Sequence, residues 1–131
     1  MSEKIRVLLS EEEVDARIQE VADMINKDYD GKDVHMICVL KGGVFFMCEL
    51  AKRITVPVSI DYMSVSSYGN RTSSSGVVRI AKDLDESIEG KDVLIVGHGA
   101  MNSSIVCQIR NLPLEEFWSA GIEKCKLMKL I

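Results

Sequence analysis

The sequence predicts an α/β fold: a three-layer sandwich with a mostly parallel central sheet, built as a single domain over residues 1–131. Three observations predict it. Short apolar runs of strand type alternate with segments of helical period, the pattern of consecutive βα units. About 47% of residues are apolar, in bounded runs rather than one tract, and a chain of 131 residues buries roughly two thirds of its unfolded surface. No repeat and no shift of composition marks a second domain.

The first helix is expected over 11–29. Ser10 can cap it, and Glu13, three residues on, completes a capping box. Val14, Ile18, Val21, Ala22 and Ile25 recur at helical spacing and form one apolar face. Gly31 is a stop signal. The run Val34–Val39 is a strand ending at Gly42-Gly43, followed by a helix over 44–54 that stops before Pro57. Positions 58–68 alternate and are rich in β-branched residues, a second strand. After the polar, serine-rich stretch 69–76, positions 77–84 return as an antiparallel third strand. Val93–Val96 is a fourth strand, apolar enough to stand centrally in a parallel sheet. Ile105, Val106, Ile109 and Leu112 share one face of a helix over 103–112, and Pro113 can begin an extra turn through Trp118. Lys and apolar residues alternate over 124–131, as in a solvated edge strand.

Composition excludes several classes of function. The net charge of −4, with no basic block, does not suit a nucleic-acid surface, which needs clustered Lys and Arg. No apolar run reaches the roughly 20 residues of a membrane-spanning helix, and acidic residues stand too early for a secretory signal. The expectation is a cytoplasmic protein. Cys38, Cys48, Cys107 and Cys125 are scattered without a close pair, so they read as free thiols, with no metal site and no cofactor expected.

Lys41-Gly42-Gly43 sits where a strand turns into a helix. A glycine-rich turn there exposes backbone N–H groups, the helix N-terminus adds a favourable dipole, and Lys41 adds charge. Phosphate or pyrophosphate is the partner this turn suits, although a strand–Gly-Gly–helix turn also serves as plain packing geometry. Around it, "LLSEEEVDARIQEVADMINKDY", "VLKGGVFFMCELAKRI" and "DYMSVSSYGNRTSSSGVVRIAKDLDESIEGKDVLIV" follow in the order and spacing of the bacterial hypoxanthine-guanine phosphoribosyltransferases, which residues 5–96 resemble. The resemblance implies that Leu40-Lys41-Gly42-Gly43 holds pyrophosphate and that Ser66-Ser67-Tyr68-Gly69 closes over the site. It also implies an acidic pair after the fourth strand, with a loop gripping ribose and 5′-phosphate. This chain has Gly97-His98-Gly99-Ala100-Met101-Asn102-Ser103 there instead, and its next carboxylates are Glu115 and Glu116.

Residues 93–131 are similar to the C-terminal part of the histidine phosphatases, through Val96-Gly97-His98-Gly99, the following helix, and "LPLEEFW" before a cysteine-containing tail. That similarity implies a phosphate-pocket role for His98. The Arg-His-Gly nucleophile motif of that family does not occur, and His35, the other histidine, stands at the head of a strand with no expected role. Phe117 and Trp118 read as packing.

The expectation is therefore one hybrid domain, residues 1–96 phosphoribosyltransferase-like and 97–131 histidine-phosphatase-like. On this reading it is an engineered chimera without natural enzymatic function, made to test recombination of α/β fragments. His98, Ser67 and Tyr68 are then vestigial catalytic positions. Lys41, Gly42, Gly43 and His98 remain as an anion-binding set, and exposed edges suggest a homodimer. The alternatives are a residual phosphate or pyrophosphate binder, or a weak phosphatase using His98.

Overall fold

Helix α1 (Glu11–Asp28) starts where the sequence places its cap: the Glu13 N–H donates to Ser10 Oγ at 3.1 Å. The face carrying Ile18, Val21, Ala22 and Ile25 is buried, and the helix ends as the Tyr29 N–H donates to the Ile25 carbonyl. In this computed structural model the described residues are 5–68, 77–98, 102, 105–106, 108–111 and 127–128, with backbone alone at 66–68 and 77–79.

Strand β1 (Val34–Val39) is buried at all six positions, as expected of a strand with parallel neighbours on both sides. Helix α2 (Val44–Arg53) follows at once. Strands β2 (Val58–Tyr68), β3 (Val77–Lys82) and β4 (Val93–Val96) complete a four-stranded sheet in the order β3-β2-β1-β4. β1 runs parallel to both β2 and β4, while β3 returns antiparallel to β2. This is the α/β sheet flanked by helices that the alternation predicts, in one domain.

One face of β1 (Val34, Met36, Cys38) packs with the apolar stripe of α1, with Met47 and Leu50 of α2, and with Val96. Fully burying side chains such as Ile25, Met36 and Met47 contributes about 1.5–3 kcal/mol each relative to leaving them exposed. Asn26 joins the two helices, and the Tyr29 hydroxyl donates to the Val93 carbonyl at 3.4 Å, tying the end of α1 to β4. Burial pushes the Tyr29 phenol up, and Asp92 and Asp28 add to the shift.

Two expectations change. Among the described strands β4 stands at the end of the sheet rather than centrally, and Ile95 is 37% exposed. Its apolar character reflects one covered face, with Leu94 and Val96 against the core. Of the tail expected as a strand over 124–131, only residues 127 and 128 are described. Neither lies in a strand, and Leu127 packs on the core. Asn102 is helical, one residue before the expected start. The turn 113–118 and the serine stretch 73–75 lie outside the described residues.

Candidate anion-binding site

The site is set by strand direction. Because β1 and β4 are parallel, with Cys38 beside Val96, the segments that follow them emerge at the same edge of the sheet. The chain passes from β1 to β2 on one side, while β4 lies on the other. The gap between β1 and β4 is therefore where the strand order reverses, the place at which open α/β sheets collect ligands.

On the β1 side, the Leu40 N–H still reaches the Met63 carbonyl of β2 at 2.9 Å, so the ladder holds the chain up to the turn. The Leu40–Lys41 peptide is cis. The Lys41 carbonyl then accepts from Val44 N–H, and the Gly43 carbonyl accepts from Met47 N–H, which closes the first turn of α2. Among the described residues, no hydrogen bond engages the N–H groups of Lys41, Gly42 or Gly43. Gly43 precedes α2 without any side-chain cap, so the positive end of the helix dipole opens onto this turn. Lys41 and Gly42 are exposed, and Gly43 is buried.

On the β4 side, Asn102 holds the segment in place. Its Nδ2 donates to the Gly97 carbonyl and its N–H to the His98 carbonyl, each at 3.0 Å. A Cβ on Gly97 would come within 3.2 Å of Asn102 Oδ1. Asn102 was not among the expected site residues. A polar side chain at a strand-to-helix junction was its available signal.

The two sides meet. The imidazole of His98 lies over Gly42, where a Cβ would collide with Nε2 and stand 2.7 Å from Cε1. A side chain at position 42 would thus displace an imidazole from 56 positions away. Gly43 has no such conflict, since a Cβ there would meet Cys38 Sγ and Val96 Cγ1 at 3.5 Å, ordinary contact.

β2 extends five residues past Met63, the partner of the last residue of β1. At about 3.3 Å per residue, the β2–β3 ribbon rises roughly 16 Å beyond that edge. Ser66, Ser67 and Tyr68 form its upper rungs, paired with Arg79, Val78 and Val77. They are strand rather than loop. Gly69 lies outside the described residues.

Asp61 braces the ribbon's return. Only 4% exposed, it accepts the Tyr62 N–H at Oδ1 and the N–H groups of Asp85 and Glu86 at Oδ2. Burial pushes its carboxyl up, but those three hydrogen bonds and the Lys82 charge outweigh burial and hold it below the ordinary carboxylate value. His35 belongs elsewhere. Near the start of β1, 3% exposed, its Nδ1 shares a 2.6 Å hydrogen bond with Ser59 Oγ, far from Lys41 along the strand. Among the described residues, no cluster of three or more His, Cys, Asp or Glu side chains could hold a metal ion. Nor is any helix among them long and apolar enough to cross a membrane. Cys38 is buried, and desolvation, then Cys48, raises its thiol pKa.

A strand–turn–helix with free N–H groups, beneath a rising β-ribbon, is matched by one family model across most of the chain: the phosphoribosyl transferase domain, over residues 8–97. The chain belongs to the phosphoribosyltransferase family. A second family model, histidine phosphatase superfamily (branch 1), matches residues 71–131, so the two overlap across β3 and β4. The chain is 54% identical over 96 residues to a hypoxanthine-guanine phosphoribosyltransferase of Mycobacterium tuberculosis, covering 69% of this chain and 48% of that one. Its counterpart in Streptococcus thermophilus is 46% identical over 91 residues, covering 70% and 51%. The chain thus spans about half the length of the curated relatives it matches. Among solved structures, a Staphylococcus aureus hypoxanthine phosphoribosyltransferase superposes with a TM-score of 0.66 at 43% identity, covering 81% and 60%. A Bacillus anthracis hypoxanthine-guanine phosphoribosyltransferase gives 0.67 at 32%, covering 87% and 70%.

These relatives overturn the expectation of an engineered, non-enzymatic chimera. Similarity this dense to enzymes points to a natural phosphoribosyltransferase sequence rather than a designed hybrid. That expectation rested on Gly97–Ser103 standing where an acidic pair is implied and on the histidine-phosphatase similarity of residues 93–131, a similarity that the second family model also finds. The structure sets His98 of that segment against Gly42 in the turn after β1.

Proposed function

We propose that this phosphoribosyltransferase acts in purine salvage, transferring the phosphoribosyl group of phosphoribosyl pyrophosphate to hypoxanthine or guanine. The observation that carries this reading is the turn Lys41–Gly43 at the β1/β4 switch point, whose N–H groups carry no hydrogen bond among the described residues. The 54% identity to a named hypoxanthine-guanine phosphoribosyltransferase supports the choice of acceptor.

In the reaction a purine ring nitrogen attacks the anomeric carbon, the carbon–oxygen bond to pyrophosphate breaks, and pyrophosphate leaves. Charge accumulates on the departing oxygen. Preorganised donors aimed at that position stabilise the transition state more than the ground state. The N–H groups of Lys41, Gly42 and Gly43, the Lys41 ammonium and the α2 dipole supply them. The ribbon ending in Ser66, Ser67 and Tyr68 stands beside this edge and excludes water when it folds over.

The test is direct. The protein is incubated with phosphoribosyl pyrophosphate, Mg²⁺ and either base, and nucleotide monophosphate is followed by chromatography. Formation of nucleotide that Lys41→Ala reduces supports the reading. No nucleotide from either base, with folded protein at substrate concentration, overturns it.

A further inference from the structure

His98 is unlike the rest of the site, since it comes from the segment after β4, where the family resemblance places an acidic pair. A carboxylate pair near a pyrophosphate turn repels the bare anion. An imidazole offers it a hydrogen-bond donor. The His98 ring leans on Gly42, and Nε2 is its atom nearest the position a Cβ would take. Asn102 bonds the carbonyls of His98 and of Gly97 before it, so the place of His98 beside the turn is held from its own side. The residue is exposed, and its ring has no hydrogen-bond partner among the described residues.

We infer that His98 is a pyrophosphate-contacting residue, its Nε2 closing the side of the cradle whose floor is formed by the N–H groups of Lys41, Gly42 and Gly43. The inference rests on the reading of that turn as the pyrophosphate site. It adds the residue that distinguishes this chain's site and the ligand that follows from it. With a donor at this edge, the site also holds free pyrophosphate, the leaving group of the proposed reaction. Gly42 then has two duties: presenting its N–H to the anion and leaving room for the imidazole.

Sodium pyrophosphate is titrated into the full chain while the backbone amides and the His98 ring nitrogens are followed by NMR. The expected result is that the Gly42 and Gly43 amides and His98 Nε2 shift together with one midpoint. His98→Ala should then weaken pyrophosphate binding about five- to tenfold, the scale of one hydrogen bond to a charged group. His98→Gln, which keeps a donor, should recover part of the loss. Amide shifts with a stationary ring, or an unchanged affinity in His98→Ala, overturn the role of His98 and leave the turn as the pyrophosphate site. If neither ring nor amides move, the pyrophosphate turn itself fails, and the His98 role with it.

Discussion

Asn26 on α1 grips the exit of α2 from both sides: its Nδ2 donates to the Arg53 carbonyl at 3.2 Å, and its Oδ1 accepts the Thr55 N–H at 2.8 Å. The residues lie almost thirty positions apart, and the pair of bonds orients α2, whose other end faces the anion turn. The last turn of α2 is further tied by Arg53, which pairs with Glu49 on its own helix and with Asp15 on α1.

Asn26→Ala should lower unfolding free energy by about 1 kcal/mol, because one half-buried and one exposed hydrogen bond lose their partner. Urea denaturation checks this. An unchanged midpoint would mean the clamp is incidental to stability.

Met47 lies at zero exposure between α1, β1 and α2. Met47→Ala should destabilise by about 2–5 kcal/mol, the range for truncating a fully buried large side chain. The exposed neighbour Cys48, changed to Ala, should move stability by no more than about 0.5 kcal/mol. Paired denaturation curves separate the core side of α2 from its solvent side.

Asp61 links stability to pH. Its folded pKa lies below the unfolded value of about 3.9, so its contribution is fully present above that value. The contribution is lost as pH falls through the lower folded value. Asp61→Asn sets an amide NH₂ or a single carbonyl where two oxygens accept three N–H groups. The variant should melt at lower temperature than the parent at pH 7, with the gap narrowing towards pH 3. A gap constant across that range would rule out the linkage.

Lys41 supplies the turn's formal charge, and Lys41→Ala should weaken pyrophosphate binding about ten- to a hundredfold. Calorimetric titration at two salt concentrations checks it, since the exposed charge should matter less at high salt.

Ser10→Ala removes the acceptor for Glu13 N–H and should cost about 1 kcal/mol, which Ser10→Asp should restore. This is the prediction nearest to the sequence itself, because both partners lie within four residues.

Local chemistry explains what was legible in the sequence. The cap at Ser10, the stripe Ile18-Val21-Ala22-Ile25, the buried run Val34–Val39 and the helix after Gly43 all follow from interactions between near neighbours. The glycine-rich strand-to-helix turn was legible for the same reason, and the family through residue order. Sheet order was not. The apolar run Val93–Val96 has one covered face, and an apolar run does not say how many neighbours its strand has.

Local sequence pattern is enough for the elements, their alternation, and a glycine-rich turn between a buried strand and a helix. Only the tertiary structure decided that His98 and Gly42 meet, that Asp61 braces the segment at Asp85 and Glu86, and that β2 overtops β1. The physical reason is parallel pairing. Once Cys38 lies beside Val96, two turns distant in the chain must leave the sheet at one edge, and no local pattern in either turn encodes the other's position.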